Sequence, residues 1–188
     1  KVQGGKPCSF VIPAASLIEV SKICSDSQES VEIVQGERHI MFKAGNVTLI
    51  SRRLEGNFLN YHNSIPAENP IEVTADRKQL ISAIDRCSLI ITEQQKSPLR
   101  CNLDGNVLRF QTATALGTVY DECNVVGSGA KLEIGFNDRY MLDALKAAPA
   151  EVLQLRMNTP VSPCVILPEE GKEESFLYMV LPVRLRSG

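Results

Sequence analysis

One apolar pattern returns three times at near-constant spacing, and that recurrence limits the folds open to this chain. "FVIPAASLIEVSKI" (Phe10 to Ile23), "IEVTADRKQLISAI" (Ile71 to Ile84) and "LEIGFNDRYMLDAL" (Leu132 to Leu145) each couple a short strand-like run to an amphipathic helix. Ile23, Ile84 and Leu145 are separated by 61 residues each, as are Val20, Ile81 and Leu142. A long internal period marks a supersecondary unit that cannot bury its apolar face alone and must stack on a neighbour.

Strand-forming runs follow each helix. They are "SVEIV", "RHIMFK" and "NVTLISRRL" in the first repeat, and "LRCNL", "VLRFQT" and "TVYDECNVV" in the second. The third has "VLQLRM", "PCVIL" and "SFLYMVLPV". Gly36, Ala44–Asn46 and Asp104–Asn106 supply turn chemistry between them. The alternation in "VLRFQT" and "VLQLRM" predicts half-buried antiparallel strands with one face in water. Each unit is therefore β-α-β-β-β, and the class is α+β.

Composition narrows the function. Of 188 residues, 44% are hydrophobic and 22% charged, which is ordinary globular material. The formal net charge of −2 leaves nucleic-acid contact to a local basic face. No apolar run is long enough for a membrane helix and no signal peptide is visible, so a cytoplasmic protein without membrane contact is expected. The chain opens on Lys1 and not on Met, as a processed protein or a piece of a longer one would. Cys8, Cys24, Cys87, Cys101, Cys123 and Cys164 lie far apart with no CxxC pair, and the only histidines are His39 and His62. Reduced, mostly buried thiols are expected, with neither a disulfide framework nor a metal site.

Basic residues recur on the helices. Arg77, Lys78 and Arg86 flank the Leu80–Ile81–Ile84 stripe, and Arg139 and Lys146 flank Met141–Leu142–Leu145. Lys22 is the counterpart in the first repeat, where "PAAS" stands in place of a basic pair. A solvated helix face accounts for such charges in an arbitrary protein; their recurrence on successive repeats favours a shared role. No catalytic constellation is present: GxSxG, HExxH, a P-loop and Cys-His motif spacing are all missing. Glu169–Glu170 and Glu173–Glu174 fall in the polar turn "PEEGKEES". No enzyme activity and no cofactor are expected.

Four segments in collinear order then become specific. "LISRRLEGNFLNYHNSIP" (Leu49 to Pro66) resembles the closing signature of the middle domain of bacterial DNA polymerase sliding clamps. "EIGFNDRYMLDALKA" (Glu133 to Ala147) is similar to a helix opening in that family's C-terminal domain, and "TPVSPCVI" (Thr159 to Ile166) and "YMVLPVRL" (Tyr178 to Leu185) to its last strands. The resemblance implies a DNA-clamp fold, with antiparallel sheets outside and helices on the inner face of a ring. It implies six units per protomer, of which three are here: residues 1–66 as the second half of the middle domain, and 67–188 as the C-terminal domain.

The same resemblance implies a processivity factor that encircles double-stranded DNA as a head-to-tail homodimer, binding it weakly and without regard to sequence. It also implies a groove for the clamp-binding motifs of DNA polymerases, the clamp loader and repair proteins. The matching positions are Leu59, Asn63, Ser64, Asn137, Tyr140, Val161, Pro163, Met179, Val180, Leu181, Pro182, Val183, Arg184 and Leu185. An apolar concavity with a few orienting polar groups suits a Leu or Phe anchor. Lys22, Arg77, Lys78, Arg139 and Lys146 become the DNA-facing cations. Asn63 and Ser64 stand where many relatives carry a basic and an aliphatic residue, and Arg186–Gly188 extends past the family's usual end. The residues alone also fit a non-enzymatic repeat scaffold or small-ligand-binding module of the same architecture, which predicts a closed cavity between units in place of a surface groove.

Overall fold

The computed structural model describes residues 7–25, 30–92, 94, 96–127, 129–171 and 175–185. Glu173, Glu174 and Arg186–Gly188 lie outside them. The chain divides into two units, Lys1–Asn60 and Tyr61–Gly188. The division falls after Asn60 and not after Pro66. Pro66 is tied to the residues that follow it, its carbonyl accepting from the Asn69 side-chain amide at 3.3 Å.

In the first unit, helix α1 (Ala14–Ser25) is followed by strands β1 (Glu32–Gln35), β2 (His39–Ala44) and β3 (Val47–Arg52). They form one antiparallel sheet in the order β1-β2-β3. Gly45, at φ 54°, turns β2 into β3 in a region that favours glycine. Ile40, Phe42 and Ala44 of β2 are buried, and the Ser16 and Ser51 hydroxyls meet at 2.7 Å, fastening α1 to β3. The opening strand expected here is reduced to one bridge, Val11 to Leu54.

The second unit contains two repeats. The first runs β4 (Ile71–Asp76), α2 (Arg77–Ser88), β5 (Leu99–Asp104), β6 (Val107–Thr114), β7 (Gly117–Asn124) and β8 (Val126–Gly127). The second runs β9 (Lys131–Phe136), α3 (Asp138–Ala147), β10 (Val152–Met157), β11 (Cys164–Pro168), β12 (Tyr178–Val180) and β13 (Pro182–Val183). Asp76 caps α2 by accepting from the Gln79 amide at 2.8 Å, and Asn137 caps α3 by accepting from the Tyr140 amide at 3.2 Å. Leu80, Ala83, Ile84 and Cys87 of α2, with Met141, Leu142 and Leu145 of α3, give the helical spacing its buried face.

The sheets interlock the two repeats. Their orders are β12-β11-β10-β4-β8 and β13-β9-β5-β6-β7. Each repeat's opening strand therefore lies in the sheet built mainly by the other repeat: β4 pairs with β10, and β9 pairs with β5. The closing strands read as single runs in the sequence, but each breaks and changes sheet. The first passes from β7 to β8 at Val125, the second from β12 to β13 at Leu181. A ladder cannot serve two sheets without a break, so period-2 alternation alone did not reveal the switch.

Helix positions also shift. The starts of α2 and α3 keep the 61-residue spacing, but α1 starts two residues earlier than that spacing places it. Leu17 and Ile18 thereby take the places of Leu80 and Ile81, and of Met141 and Leu142. Leu17 is 52% exposed where Leu80 is 1%. The first unit thus leaves open, along this helix face and along the outer edge of β1, the surfaces that a companion repeat covers in the second. Hydrogen exchange of the monomeric chain should accordingly show lower protection in β1–β3 than in β5, β6, β9 and β10. Equal protection in the two units would contradict that reading.

The thiols follow burial. Cys87, Cys101, Cys123 and Cys164 are buried, Cys24 is half-buried and Cys8 exposed; all are free. Loss of hydration pushes the Cys164 thiol up to about 12, and those of Cys87 and Cys123 to about 11. Space inside the core beside Cys101, Cys164 and Phe110 amounts to about 20 Å³. That is far below the several hundred Å³ of a ligand pocket, which leaves the small-ligand alternative without a cavity here.

Candidate functional site

The sheet switch at Leu181 assembles an apolar surface. Cys164 pairs with Val180, and Pro182 pairs with Phe136. Extending each ladder by one residue sets Leu181 beside Pro163 on one side and Asn137 on the other. Leu181 is 61% exposed, whereas Val125, the residue at the equivalent switch, is 3% exposed and plugs the core. One switch is filled and the other is open.

Flanking residues complete the surface. Tyr140, one turn along from the Asn137 cap, is exposed, as is Val183 of β13. Val161 is held out at the tip of a turn, with the Ser162 amide donating to the Thr159 carbonyl at 3.2 Å and the two hydroxyls 2.7 Å apart. Met179, Pro182, Pro163 and Leu185 are half-buried and Arg184 is exposed. Val180 is different: its side chain is in the hydrophobic core, so it is a packing residue and not part of the surface. Strand alternation dictates this, because Leu181 next to it points out. Asn63 and Ser64 sit in a 3-10 turn (Tyr61–Ser64) with no buried residue. Leu59 belongs to the first unit.

Gly135 went unnoticed in the sequence, yet it seats the C-terminal strand. A Cβ there would lie 2.6 Å from Leu185 Cδ2 and 2.7 Å from the Val183 carbonyl oxygen. The only advance signal was a glycine inside an otherwise alternating strand, "LEIGF". Asn137 and Tyr140 also line a concavity of about 490 Å³, together with Ile91, Thr92, Lys96, Ser97, Asp138 and Arg139. The sequence reading named only Arg139 of these.

Four of the helix cations have carboxylate partners. Lys146 Nζ is 3.3 Å from Asp85 Oδ1, and these residues hold equivalent positions on α3 and α2. Lys78 Nζ is 4.0 Å from Glu151 Oε1, and Lys22 Nζ is 2.8 Å from Glu19 Oε1. Arg86 donates to Asp121 of β7, and chiefly that hydrogen bond holds the Asp121 carboxyl below its ordinary value. Arg77, Lys78 and Arg139 occupy the first turns of their helices. A cation there opposes the helix dipole by a few tenths to about 1 kcal/mol, so helix stability does not select these residues.

Comparison with known proteins identifies the setting. Residues 62–184 match the profile described as DNA polymerase III beta subunit, C-terminal domain, and residues 1–60 match the central domain of the same subunit. The Beta sliding clamp of Staphylococcus aureus is 31% identical over 178 residues, 94% of this chain and 47% of the relative. The solved sliding clamp of Bacillus subtilis superposes with a TM-score of 0.83 at 32% identity, over 94% of this chain and 47% of that one. A Pseudomonas aeruginosa clamp solved with a ligand gives 0.81 at 27%, over 94% and 48%. The chain spans about half the length of these relatives. It belongs to the DNA polymerase III beta subunit family, the bacterial sliding clamps.

Proposed function

We propose that this chain is the partner-binding portion of a cytoplasmic sliding clamp, a processivity factor that tethers polymerases, the clamp loader and repair proteins to DNA. The observation that supports it best is the open sheet switch. Leu181, Val161, Tyr140 and Val183 form an exposed apolar set beside the Asn137 cap, and apolar side chains grouped in this way mark a docking site. An extended peptide would bury its Leu or Phe anchor against Leu181 and Pro182, with Asn137, Arg184 and backbone groups fixing its direction. Asn63 and Ser64, in the same unit as Leu181, would border the same groove. Calorimetric titration with a Gln-Leu-x-Leu-Phe peptide tests this. Saturable binding that disappears on scrambling the peptide is the expected result, and equal heats from both peptides would refute the groove.

The DNA role follows the same reading. The full-length protein would close head to tail as a homodimer ring around double-stranded DNA, with Arg77, Lys78, Arg139, Lys146 and Lys22 facing phosphates. Three of these cations already have carboxylate partners within 4.0 Å, so their phosphate contacts compete with internal pairs. DNA binding by this chain should therefore be weak, independent of sequence and steeply reduced by salt, by roughly one power of salt concentration per phosphate neutralised. Binding that persists at about 0.5 M salt, where such contacts are suppressed, would contradict it.

A further inference from the structure

The outer face of β1-β2-β3 differs from that of β5-β6-β7 in the second unit, although the two triplets pair in the same order. In the second unit this face carries charge pairs. Arg100 meets Glu133 at 2.8 Å, Arg109 meets Glu122 at 3.1 Å and Asp104 at 3.7 Å, and Lys131 meets Asp104 at 3.1 Å. In the first unit, Val34, Met41 and Ile50 pair across three strands in one row. They alternate with the buried Ile40, Phe42 and Ser51, so they point away from α1. Ile50 is 65% exposed. One neighbouring row is Glu32–Lys43–Thr48, and on the other side His39 pairs with Arg52. Among the described residues neither Lys43 nor Arg52 has a carboxylate within ion-pair distance.

From this placement we infer a second docking surface, the Val34–Met41–Ile50 row flanked by Lys43 on one side and Arg52 on the other, that takes an acidic peptide segment carrying apolar side chains. The row supplies apolar contact across three strands, and the cations in the adjoining rows select carboxylates beside it. A basic segment would meet Lys43 and Arg52 as like charges. A companion repeat placed as in the second unit, helix against helix and strand against the first strand's edge, would leave this face open. The surface belongs to the first unit and Leu181 to the second, so the two can be tested independently.

The test uses the whole chain, ¹⁵N-labelled, titrated with a soluble peptide alternating leucine and glutamate; a leucine–lysine counterpart is the control. Expected are shifts confined to β1–β3 and at least tenfold weaker binding of the lysine peptide. Ile50→Glu and Arg52→Glu should each weaken the acidic peptide at least tenfold, and Ile50→Thr, which keeps strand propensity, should weaken it too. Three outcomes would overturn the inference: equal affinity for both peptides, shifts on the strands around Leu181, or no shift at about 1 mM peptide, the limit of weak binding. Sedimentation covers the remaining occupant. A dimer that Ile50→Glu converts to monomer would assign the face to a second copy of the chain, and the acidic-peptide reading would fall.

Discussion

Leu181→Asp is expected to abolish binding of a Gln-Leu-x-Leu-Phe peptide while leaving the fold intact. The residue is 61% exposed between β12 and β13, so in the free chain a carboxylate there stays in water. Once an apolar anchor covers it, the carboxylate loses hydration without gaining a partner. That penalty amounts to several kcal/mol, enough to move a micromolar complex beyond measurement. Leu181→Ala should weaken binding less, through lost contact alone. Wild-type affinity in the Asp variant would remove Leu181 from the site.

Gly135→Ala should have the second largest effect, through a different mechanism. Gly135 is not among the positive-φ glycines, so its backbone accepts an L residue and the cost is steric. The new methyl would press on Leu185 and on the Val183 carbonyl, at 2.6 and 2.7 Å. The side chain can turn away, but the backbone oxygen can recede only if β13 lifts from β9. A destabilisation of about 1–3 kcal/mol is expected, as for other overpacked sites, with loss of peptide binding because Pro182 to Leu185 shift. Gly127→Ala is the control. Its methyl would lie 2.3 Å from the Glu72 carbonyl oxygen at the other sheet switch, away from Leu181. It should destabilise comparably yet bind the peptide when folded. Loss of binding in both variants would mean that global stability, and not the seating of β13, controls the surface.

Much of this architecture was legible because its signals are local. The Asp76 and Asn137 caps, the Leu80–Ile84 and Met141–Leu145 stripes and the Asp104–Asn106 turn each follow from a few neighbouring residues, and the helices and hairpins form there. Long-range features were not legible. Nothing in "SFLYMVLPV" says that Leu181 is a break between two sheets, because both halves alternate correctly for a strand. The resemblance places Val180 in the groove with its neighbours, yet alternation turns it into the core. The 61-residue spacing was two residues out for α1. Leu17, Ile18 and Val20 offer apolar residues at both registers, and only the helix start at Ala14 decides between them. The resemblance supplied the site residues, and the pairing of β12 and β13 with β11 and β9 supplies a physical reason for Leu181 and Val183 to be exposed together.

The central claim is that the open sheet switch at Leu181 is where partner peptides dock. Chemical-shift mapping of the ¹⁵N-labelled chain during titration with the Gln-Leu-x-Leu-Phe peptide tests it most directly. The expected result is a saturable set of shifts centred on Asn137–Tyr140, Val161, Leu181 and Val183, with β6 and β7 unmoved. Shifts centred on any other surface, or none at saturating peptide, would contradict it.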